Sequence, residues 1–166
     1  MNPCVVSVSI GQLNPTKFMN IDSHYLAEIL SGTWFGLEES IEFSKLVNDT
    51  RTDVHHLNNT IFIALKGPNF DAHQFINQAY QKGIHYFIVS ELPKHLNQNC
   101  AYLLVDNTSL ALNQLGQYQR SKLNYPVIGI TGSNGKTIVK EWLNHLLSKE
   151  IKISRSPKSS NPNIGF

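Results

Sequence analysis

Residues 125–140 constrain the fold of this chain more than any other segment, because their pattern is that of a strand, a glycine loop and a helix in succession. Residues 127–130 form a short apolar run, which is typical of a buried parallel strand. Residues 131–135 follow with two glycines and little side-chain bulk. The next segment predicts an amphipathic helix, since its apolar residues recur at helical spacing: Ile138, Val139, Trp142, Leu143, Leu146 and Leu147.

This segment has the chemistry of a phosphate-binding loop. Amides at a helix start point at a bound anion, a lysine neutralises phosphate oxygens, and a threonine hydroxyl can ligate Mg²⁺. The motif is the shorter G-x-x-G-K-T form, because Ile130 stands where the longer form has its first glycine. A glycine-rich turn between an ordinary strand and helix is the alternative, but the flanking elements favour nucleotide binding. The predicted nucleotide-binding residues are Gly132, Ser133, Asn134, Gly135, Lys136, Thr137 and Ile138, with Lys136 and Thr137 as catalytic residues and Thr137 as the metal ligand.

Composition excludes several classes of protein. The chain has 166 residues, of which 41% are hydrophobic and 16% charged, as in soluble globular proteins. Its net charge of +2 argues against nucleic-acid and membrane partners, and no apolar run approaches the roughly 20 residues that cross a bilayer. Cys4 and Cys100 are far apart, which favours free thiols in a reducing compartment. Because the first residues also lack a signal-peptide pattern, we expect a cytoplasmic protein.

Ahead of the glycine loop, candidate strands alternate with candidate helices. This alternation predicts an α/β fold with a mainly parallel sheet. Strands are expected at 41–47, 60–65, 86–89 and 102–105, and helices at 19–30, at 71–82 and after 107–108.

The same pattern suggests how the chain is organised. We divide it into an unpatterned head at 1–18, a first domain at 19–122 and the start of a second domain at 123–166. Met19 is an alternative start of the protein. After the helix that follows the loop only one further strand fits, at 151–154, and a parallel sheet needs more strands to bury its helices. We therefore expect the N-terminal portion of a longer enzyme, with an unpaired strand edge at 127–130 that favours fraying or aggregation.

Five segments, in order, are similar to motifs of the Mur ligase family. They are Asp-Thr-Arg at 49–51, the strand and turn at 60–67, and the segments 71–76, 105–108 and 126–137. The resemblance covers residues 20–166 and is strongest for the branch that joins D-alanyl-D-alanine to UDP-N-acetylmuramoyl-tripeptide. Residues 156–161 resemble the variant in which the ligase is fused to an alanine racemase domain.

The resemblance implies a fold, an activity and a set of ligands. It implies a small α/β domain that binds the UDP-sugar, followed by the incomplete start of an ATP-binding P-loop domain with a parallel sheet. The activity would be ATP-dependent amide-bond formation through an acyl phosphate, with ATP and Mg²⁺ as cofactors, in peptidoglycan synthesis. The substrate-binding residues that it implies are Thr50, Arg51, Lys66, Gly67, Asn69 and Asn161.

Structural alternatives exist for several of these residues. Arg51 could form a surface ion pair with Asp49 or Asp53, and Asp71 could cap the helix that begins there. Asn161 could be an ordinary loop residue, and His73 is expected to be structural or exposed.

The chain also departs from the family pattern. Ile138 replaces a second threonine, and the family's carbamylated lysine, its adenine site and its C-terminal domain are missing from the sequence. We therefore expect no ligase activity from these residues alone. Two other classes stay open: a stand-alone nucleotide or UDP-sugar-binding module, and an unrelated P-loop NTPase, which would need a metal-binding aspartate after a later apolar strand.

Overall fold

The computed structural model describes residues 6–10, 20–37, 40–50, 59–122, 126–151 and 153–155. The chain divides into two compact units. The larger unit is Pro15–Arg120, and the loop unit, which carries the glycine loop, combines Met1–Asn14 with Ser121–Phe166.

The elements, in chain order, are as follows. The strands are β1 (Val6–Ile10), β2 (Ile21–Asp22), β3 (Thr33–Gly36), β4 (Glu42–Phe43), β5 (Lys45–Val47), β6 (Thr60–Ile63), β7 (Lys66–Gly67), β8 (Phe70–Asp71), β9 (Tyr86–Val89), β10 (Ala101–Leu104), β11 (Val127–Ile130) and β12 (Ile153–Arg155). The helices are α1 (Ser23–Leu30), α2 (Ile76–Gln81), α3 (Thr108–Ser121) and α4 (Lys136–Leu147), and a 3-10 turn at Ala72–Phe75 precedes α2. None of the helices in the described part of the chain is long and apolar enough to cross a membrane.

A five-stranded sheet forms the centre of the larger unit. Its order among the described strands is β3-β10-β9-β6-β5. β10, β9, β6 and β5 run parallel to their neighbours, and β3 is antiparallel at one edge. The prediction of an α/β fold with a mainly parallel sheet is confirmed.

Apolar residues cover both faces of this sheet. In β6, Ile61 and Ile63 belong to one buried cluster and Phe62 to another, because successive strand side chains point to opposite faces. The first cluster also holds apolar residues of α1 and α3, and the second holds Ile76 and Ala79 of α2. Two-sided burial explains why the strand sequences are continuously hydrophobic rather than alternating.

The strand predicted at 41–47 is in fact two short strands. β4 pairs with β2, whereas β5 pairs with β6. The backbone N–H groups of Ser44 and Lys45 both donate to the carbonyl oxygen of Asn59, at 3.0 and 3.3 Å, where the chain changes partners. This change makes β5 the edge strand of the central sheet next to β6, and Thr50 follows it.

The loop unit contains a three-stranded sheet in the order β11-β1-β12 among its described residues. β1 is antiparallel to both neighbours, so β11 and β12 run parallel to each other. The sequence assigned no pattern to residues 1–18, yet 6–10 form the central strand. The prediction of an unpaired strand at 127–130 is therefore wrong for one of the strand's two edges, because β1 pairs along all of β11.

The predicted helix after the glycine loop is present as α4, but several of its apolar side chains are exposed, whereas Leu143 and Leu147 are half-buried. Ile138, Trp142 and Leu146 are 59%, 68% and 67% exposed. Apolar side chains on both sides of a helix are buried only when layers pack on both sides, and the described part of the loop unit has one three-stranded sheet.

Candidate functional site

The glycine loop has a backbone that only glycine adopts without strain at two positions. Gly132 has a φ of 149°, and Gly135, which is the N-cap of α4, has a φ of 79° and a ψ of −6°. A β-carbon added at Gly135 would meet nothing within 4 Å, so backbone conformation and not crowding selects glycine there. The left-handed turn leads straight into the first helical residue, Lys136.

The side chain of Lys136 folds back over this loop. Its ammonium donates to the carbonyl oxygen of Gly132 and, at 3.4 Å, to that of Ser133. Thr137 is the second residue of α4 and is exposed, as are residues 131–135. The structure thus places the predicted nucleotide-binding residues together, with 132–135 as an exposed loop and 136–138 as the first turn of α4. The ammonium of Lys136 lies against this loop.

One turn further along α4 lies a cation that the sequence analysis did not single out. Lys140 is 1% exposed, and its Nζ is 3.3 Å from Oε1 of Glu141. The burial of Lys140 could not be predicted from the sequence, because a lysine in a helix is ordinarily solvated.

In the larger unit, Lys66 follows the carboxyl end of β6 and lies in an acidic environment. Its Nζ is 2.5 Å from Oε1 of Glu91 and 3.8 Å from Oδ2 of Asp71. The hydrogen bond to Glu91 is the main cause that raises the pKa of Lys66 above its usual range. The backbone N–H of Lys66 donates to Oγ1 of Thr108, at the start of α3.

Gly67 and Asn69 lie next to this lysine. Lys66 and Gly67 form β7, which pairs with β8 through the turn that contains Asn69. The structure therefore brings together three of the six predicted substrate-binding residues at one strand end.

Asp71 and His73 form a short chain of hydrogen bonds beside this turn. Oδ1 of Asp71 accepts from the backbone N–H of His73 at 2.9 Å and lies 2.5 Å from its Nδ1. The first of these bonds is the main cause that lowers the pKa of Asp71. Asp71 is the N-cap of the 3-10 turn, as the capping alternative predicted.

Thr50 lies three residues after β5 and is 6% exposed. Its hydroxyl donates to Oε1 of Gln78 at 2.7 Å, and its carbonyl oxygen accepts from Nζ of Lys82 at 2.5 Å. In this structure Thr50 thus ties the end of β5 to α2. Arg51 and Asn161, the remaining predicted substrate residues, lie outside the described residues.

A cavity of about 360 Å³ lies elsewhere in the larger unit. Tyr86 and Ala101, the first residues of β9 and β10, help to line it together with Trp34. Thr50, Lys66, Gly67 and Asn69 follow the last residues of parallel strands, so this cavity is at the opposite end of the sheet from them.

The glycine loop between β11 and α4, in a chain that also contains a unit built on a mainly parallel sheet, defines an α/β protein with a P-loop. A scan against models of known protein families matches none of them. The chain is 35% identical to the UDP-N-acetylmuramoyl-tripeptide–D-alanyl-D-alanine ligase of Haemophilus influenzae over 139 residues, which are 84% of this chain and 29% of that protein. It is 33% identical to the ligase of the same name from Bacillus subtilis, over 85% of this chain and 30% of that protein.

The chain is also similar to solved structures of this ligase. The crystal structure of MurF from Acinetobacter baumannii matches 81% of this chain and 29% of its own, with a TM-score of 0.63 and 30% identity. The chain belongs to the Mur ligase family, in its MurF branch. It spans 29% and 30% of the lengths of the two curated relatives just described.

Proposed function

We propose that this chain supplies the UDP-sugar-binding part and the phosphate loop of an ATP-dependent ligase that adds D-alanyl-D-alanine to UDP-N-acetylmuramoyl-tripeptide. The observation that carries the proposal is the left-handed Gly135 N-cap with the Lys136 ammonium folded over the loop. In a chain of this family, that arrangement has the donors and the charge that a triphosphate requires.

The loop residues have distinct tasks in this proposal. The amides of residues 132–135 would bind the β- and γ-phosphates, and Lys136 would leave the neutral loop carbonyls for the phosphate oxygens, because charge-assisted hydrogen bonds are stronger. Such contacts stabilise the charge that develops as the substrate carboxylate attacks the γ-phosphate to give an acyl phosphate. The amine of the dipeptide then displaces phosphate to form the amide.

Thr137 is the residue we assign to Mg²⁺. Magnesium in nucleotide sites is typically held by few protein ligands together with phosphate oxygens and water, which fits a single exposed hydroxyl at the helix start. Bound there, the ion would neutralise phosphate charge. Within the described residues no cluster of three or more His, Cys, Asp and Glu side chains could hold a metal by itself.

The larger unit, Pro15–Arg120, is the proposed UDP-sugar domain, which the sequence predicts at 19–122 with the P-loop domain beginning at 123. Lys66, Gly67 and Asn69 lie at the carboxyl end of β6, the edge where parallel α/β sheets bind ligands. Thr50 follows the neighbouring strand β5, and Arg51 comes next in the sequence. A diphosphate would compete with Glu91 and Asp71 for the Lys66 ammonium.

We further propose that these residues bind both ligands without turnover and that catalysis needs the remainder of the ligase. The racemase fusion stays a prediction, since residues 156–161 lie outside the described residues. The cytoplasm is the proposed compartment, on the cysteine pattern and the proposed substrates. A stand-alone binding module would show the same binding, whereas an unrelated NTPase would not bind the UDP-sugar.

Calorimetric titration tests both sites. We expect Mg·ATP to bind, and Lys136→Ala to weaken binding at least tenfold, or about 1.4 kcal/mol. Lys149→Ala is the matched control, because Lys149 is an exposed lysine just after α4. Equal ATP affinity in wild type and Lys136→Ala would rule out the proposed loop function.

The UDP-sugar is titrated in the same way. We expect UDP-N-acetylmuramoyl-tripeptide to bind wild type and to bind Lys66→Ala and Arg51→Ala more weakly. Lys94→Ala, an exposed lysine of the same unit, is the control. Absence of binding by a folded wild-type chain would remove the substrate assignment and leave the family assignment intact.

A further inference from the structure

Lys66, just after β6, forms ion pairs with two carboxylates, those of Glu91 and Asp71. We infer that Glu91 is an internal competitor in the proposed UDP-sugar site: its carboxylate holds the Lys66 ammonium in the free protein, and the diphosphate of the ligand has to displace it. This inference rests on the proposed function, because it assigns Lys66 to that ligand. It adds Glu91 as a residue that limits how tightly the ligand binds.

The two carboxylates differ in how firmly they are held. Asp71 is the register partner of Lys66 in the β7–β8 pair, and its Oδ1 accepts from the backbone N–H of His73 at 2.9 Å. Because that bond caps the 3-10 turn, Asp71 cannot move away without a loss of local structure. The side chain of Glu91 is 66% exposed, so its carboxylate can turn into water at little cost. Glu91 is therefore the partner that a ligand displaces.

The backbone of Lys66 is anchored, which leaves only its side chain to change partners. Its N–H donates to Oγ1 of Thr108 at 3.2 Å, and its carbonyl oxygen accepts from Oγ of Ser109 at 3.5 Å. Both of these residues belong to the first turn of α3. The half-exposed ammonium lies at the end of a flexible four-carbon stem. It can therefore turn from Glu91 to a ligand without any movement of the strand end.

The backbone next to Glu91 is anchored as well. The N–H of Ser90, the preceding residue, donates to Nε2 of His73 at 3.0 Å. Both residues follow β9, which lies beside β6 in the central sheet and runs parallel to it. Because parallel neighbours end at the same edge of a sheet, the carboxylate of Glu91 is kept within reach of the lysine that follows β6.

The charges at this strand end oppose an anionic ligand. One ammonium faces two carboxylates, so the three side chains of Lys66, Glu91 and Asp71 together carry a net negative charge. A diphosphate ester is also negative, so its binding has to break the ion pair of Glu91 and overcome repulsion from the same carboxylate. Removing the charge of Glu91 should therefore strengthen ligand binding. Loss of a contact that only supports the fold would weaken binding or leave it unchanged.

Calorimetric titration of the full chain with UDP-N-acetylmuramoyl-tripeptide tests the inference. We expect Glu91→Gln to bind this ligand about threefold to tenfold more tightly than wild type, since the change frees the ammonium and removes a neighbouring negative charge. Glu28→Gln is the matched control, because Glu28 is an exposed glutamate of α1, and it should bind as wild type does. In a Lys66→Ala background, Glu91→Gln should raise the affinity by a smaller factor, because no ammonium is left to compete for.

Acetylation of Lys66 tests the ion pair without any ligand. The hydrogen bond to Glu91 raises the pKa of Lys66, and only the neutral amine reacts with acetic anhydride. We expect Lys66 to react about twofold or more faster in Glu91→Gln than in wild type, relative to Lys94 in the same sample. Mass spectrometry of the labelled peptides gives both rates, and Lys94 serves as the exposed reference. An unchanged ratio in Glu91→Gln would overturn the inference, because the ion pair would then be absent in solution.

The titrations distinguish failure of this inference from failure of the proposed function. Binding by wild type, with equal or weaker binding by Glu91→Gln, would overturn the role of Glu91 and leave the substrate site in place. An equal effect of Glu91→Gln with and without Lys66 would contradict competition for the ammonium. Absence of binding by both wild type and Glu91→Gln would overturn the proposed substrate site and the role of Glu91 together, even where acetylation detects the ion pair.

Discussion

The backbone N–H of Ser90, just after β9, donates to Nε2 of His73 at 3.0 Å. An imidazole nitrogen that accepts from an amide carries no proton, so the proton of His73 is on Nδ1, which faces Oδ1 of Asp71 at 2.5 Å. The ring thus links the capping carboxylate of the 3-10 turn to the end of a central strand. This relationship places Asp71 and His73 in the framework that holds the turn of Asn69.

The first prediction concerns the cap. Asp71→Ala removes the acceptor of the His73 N–H and of its ring, and we expect it to destabilise the larger unit by about 0.5–2 kcal/mol, the usual range for a lost N-cap. Denaturant unfolding measures the loss. Asp106→Ala is the matched control, because Asp106 is exposed, and it should change stability by less than about 0.5 kcal/mol.

The second prediction is the pH dependence of the same contact. The pKa of Asp71 is lowered in the folded protein, chiefly by the N–H of His73. A lowered pKa means that the stabilisation is present above the unfolded pKa, about 4, and is lost as pH falls through the folded value. We expect the stability difference between wild type and Asp71→Asn to shrink in that acidic window. A difference that grows on acidification would contradict this assignment.

Local sequence patterns were enough to predict much of the fold. The buried strand at 86–89 and the helix after the glycine loop follow from runs and periodicities within a few residues. The role of β1 could not be predicted in this way, because Val6 pairs with Ile130, and such a pairing depends on the rest of the chain. The break in the strand predicted at 41–47 was missed for a similar reason, since it follows from hydrogen bonds to Asn59.

The candidate sites also combine features that a local motif predicts with features that depend on distant parts of the chain. The helix start at Lys136 was predicted correctly, because the motif that indicates it is contiguous. That residues 132–138 bind a nucleotide stays a prediction. The ion pair between Glu91 and Lys66 could not be predicted, since Glu91 is distant from Lys66 in sequence and belongs to no motif. Thr50 was predicted to bind substrate, and this stays a prediction. The hydrogen bond from its hydroxyl to Gln78 had no local signal, because only tertiary packing supplies that partner.

The third prediction concerns Tyr102 in the central strand β10. Tyr102 is 2% exposed and stacks on Phe87 with ring centroids 5.4 Å apart. Burial, with a smaller effect of Cys100, raises the pKa of Tyr102 to about 12. A raised pKa means that the stabilisation is complete below the unfolded pKa, about 10, and is lost as pH rises towards the folded value.

Phenolate absorbance and alkaline unfolding check this prediction together. We expect one tyrosine of the folded chain to titrate only near pH 12, and stability to fall above about pH 10. Tyr102→Phe should remove that late titration and flatten the alkaline loss. Titration of every tyrosine near its ordinary pKa in folded protein would show that Tyr102 is hydrated.

The last prediction compares two glycines that both have room for a methyl group. A β-carbon would meet nothing within 4 Å at either Gly135 or Gly116, so crowding cannot distinguish them. Gly116 lies inside α3, where alanine is favoured over glycine by about 0.5–1 kcal/mol, and we expect Gly116→Ala to stabilise the larger unit.

Gly135 has a φ of 79°, so Gly135→Ala should instead cost about 1–2 kcal/mol of the loop's conformational free energy. Thermal unfolding measures whether each variant is stabilised or destabilised, and hydrogen exchange shows in which unit the change in stability occurs. Because the cost falls on the backbone turn that starts α4, Gly135→Ala should also weaken Mg·ATP binding, while Gly116→Ala should not. A stabilising Gly135→Ala would mean that the left-handed turn into Lys136 is not the conformation of the protein in solution.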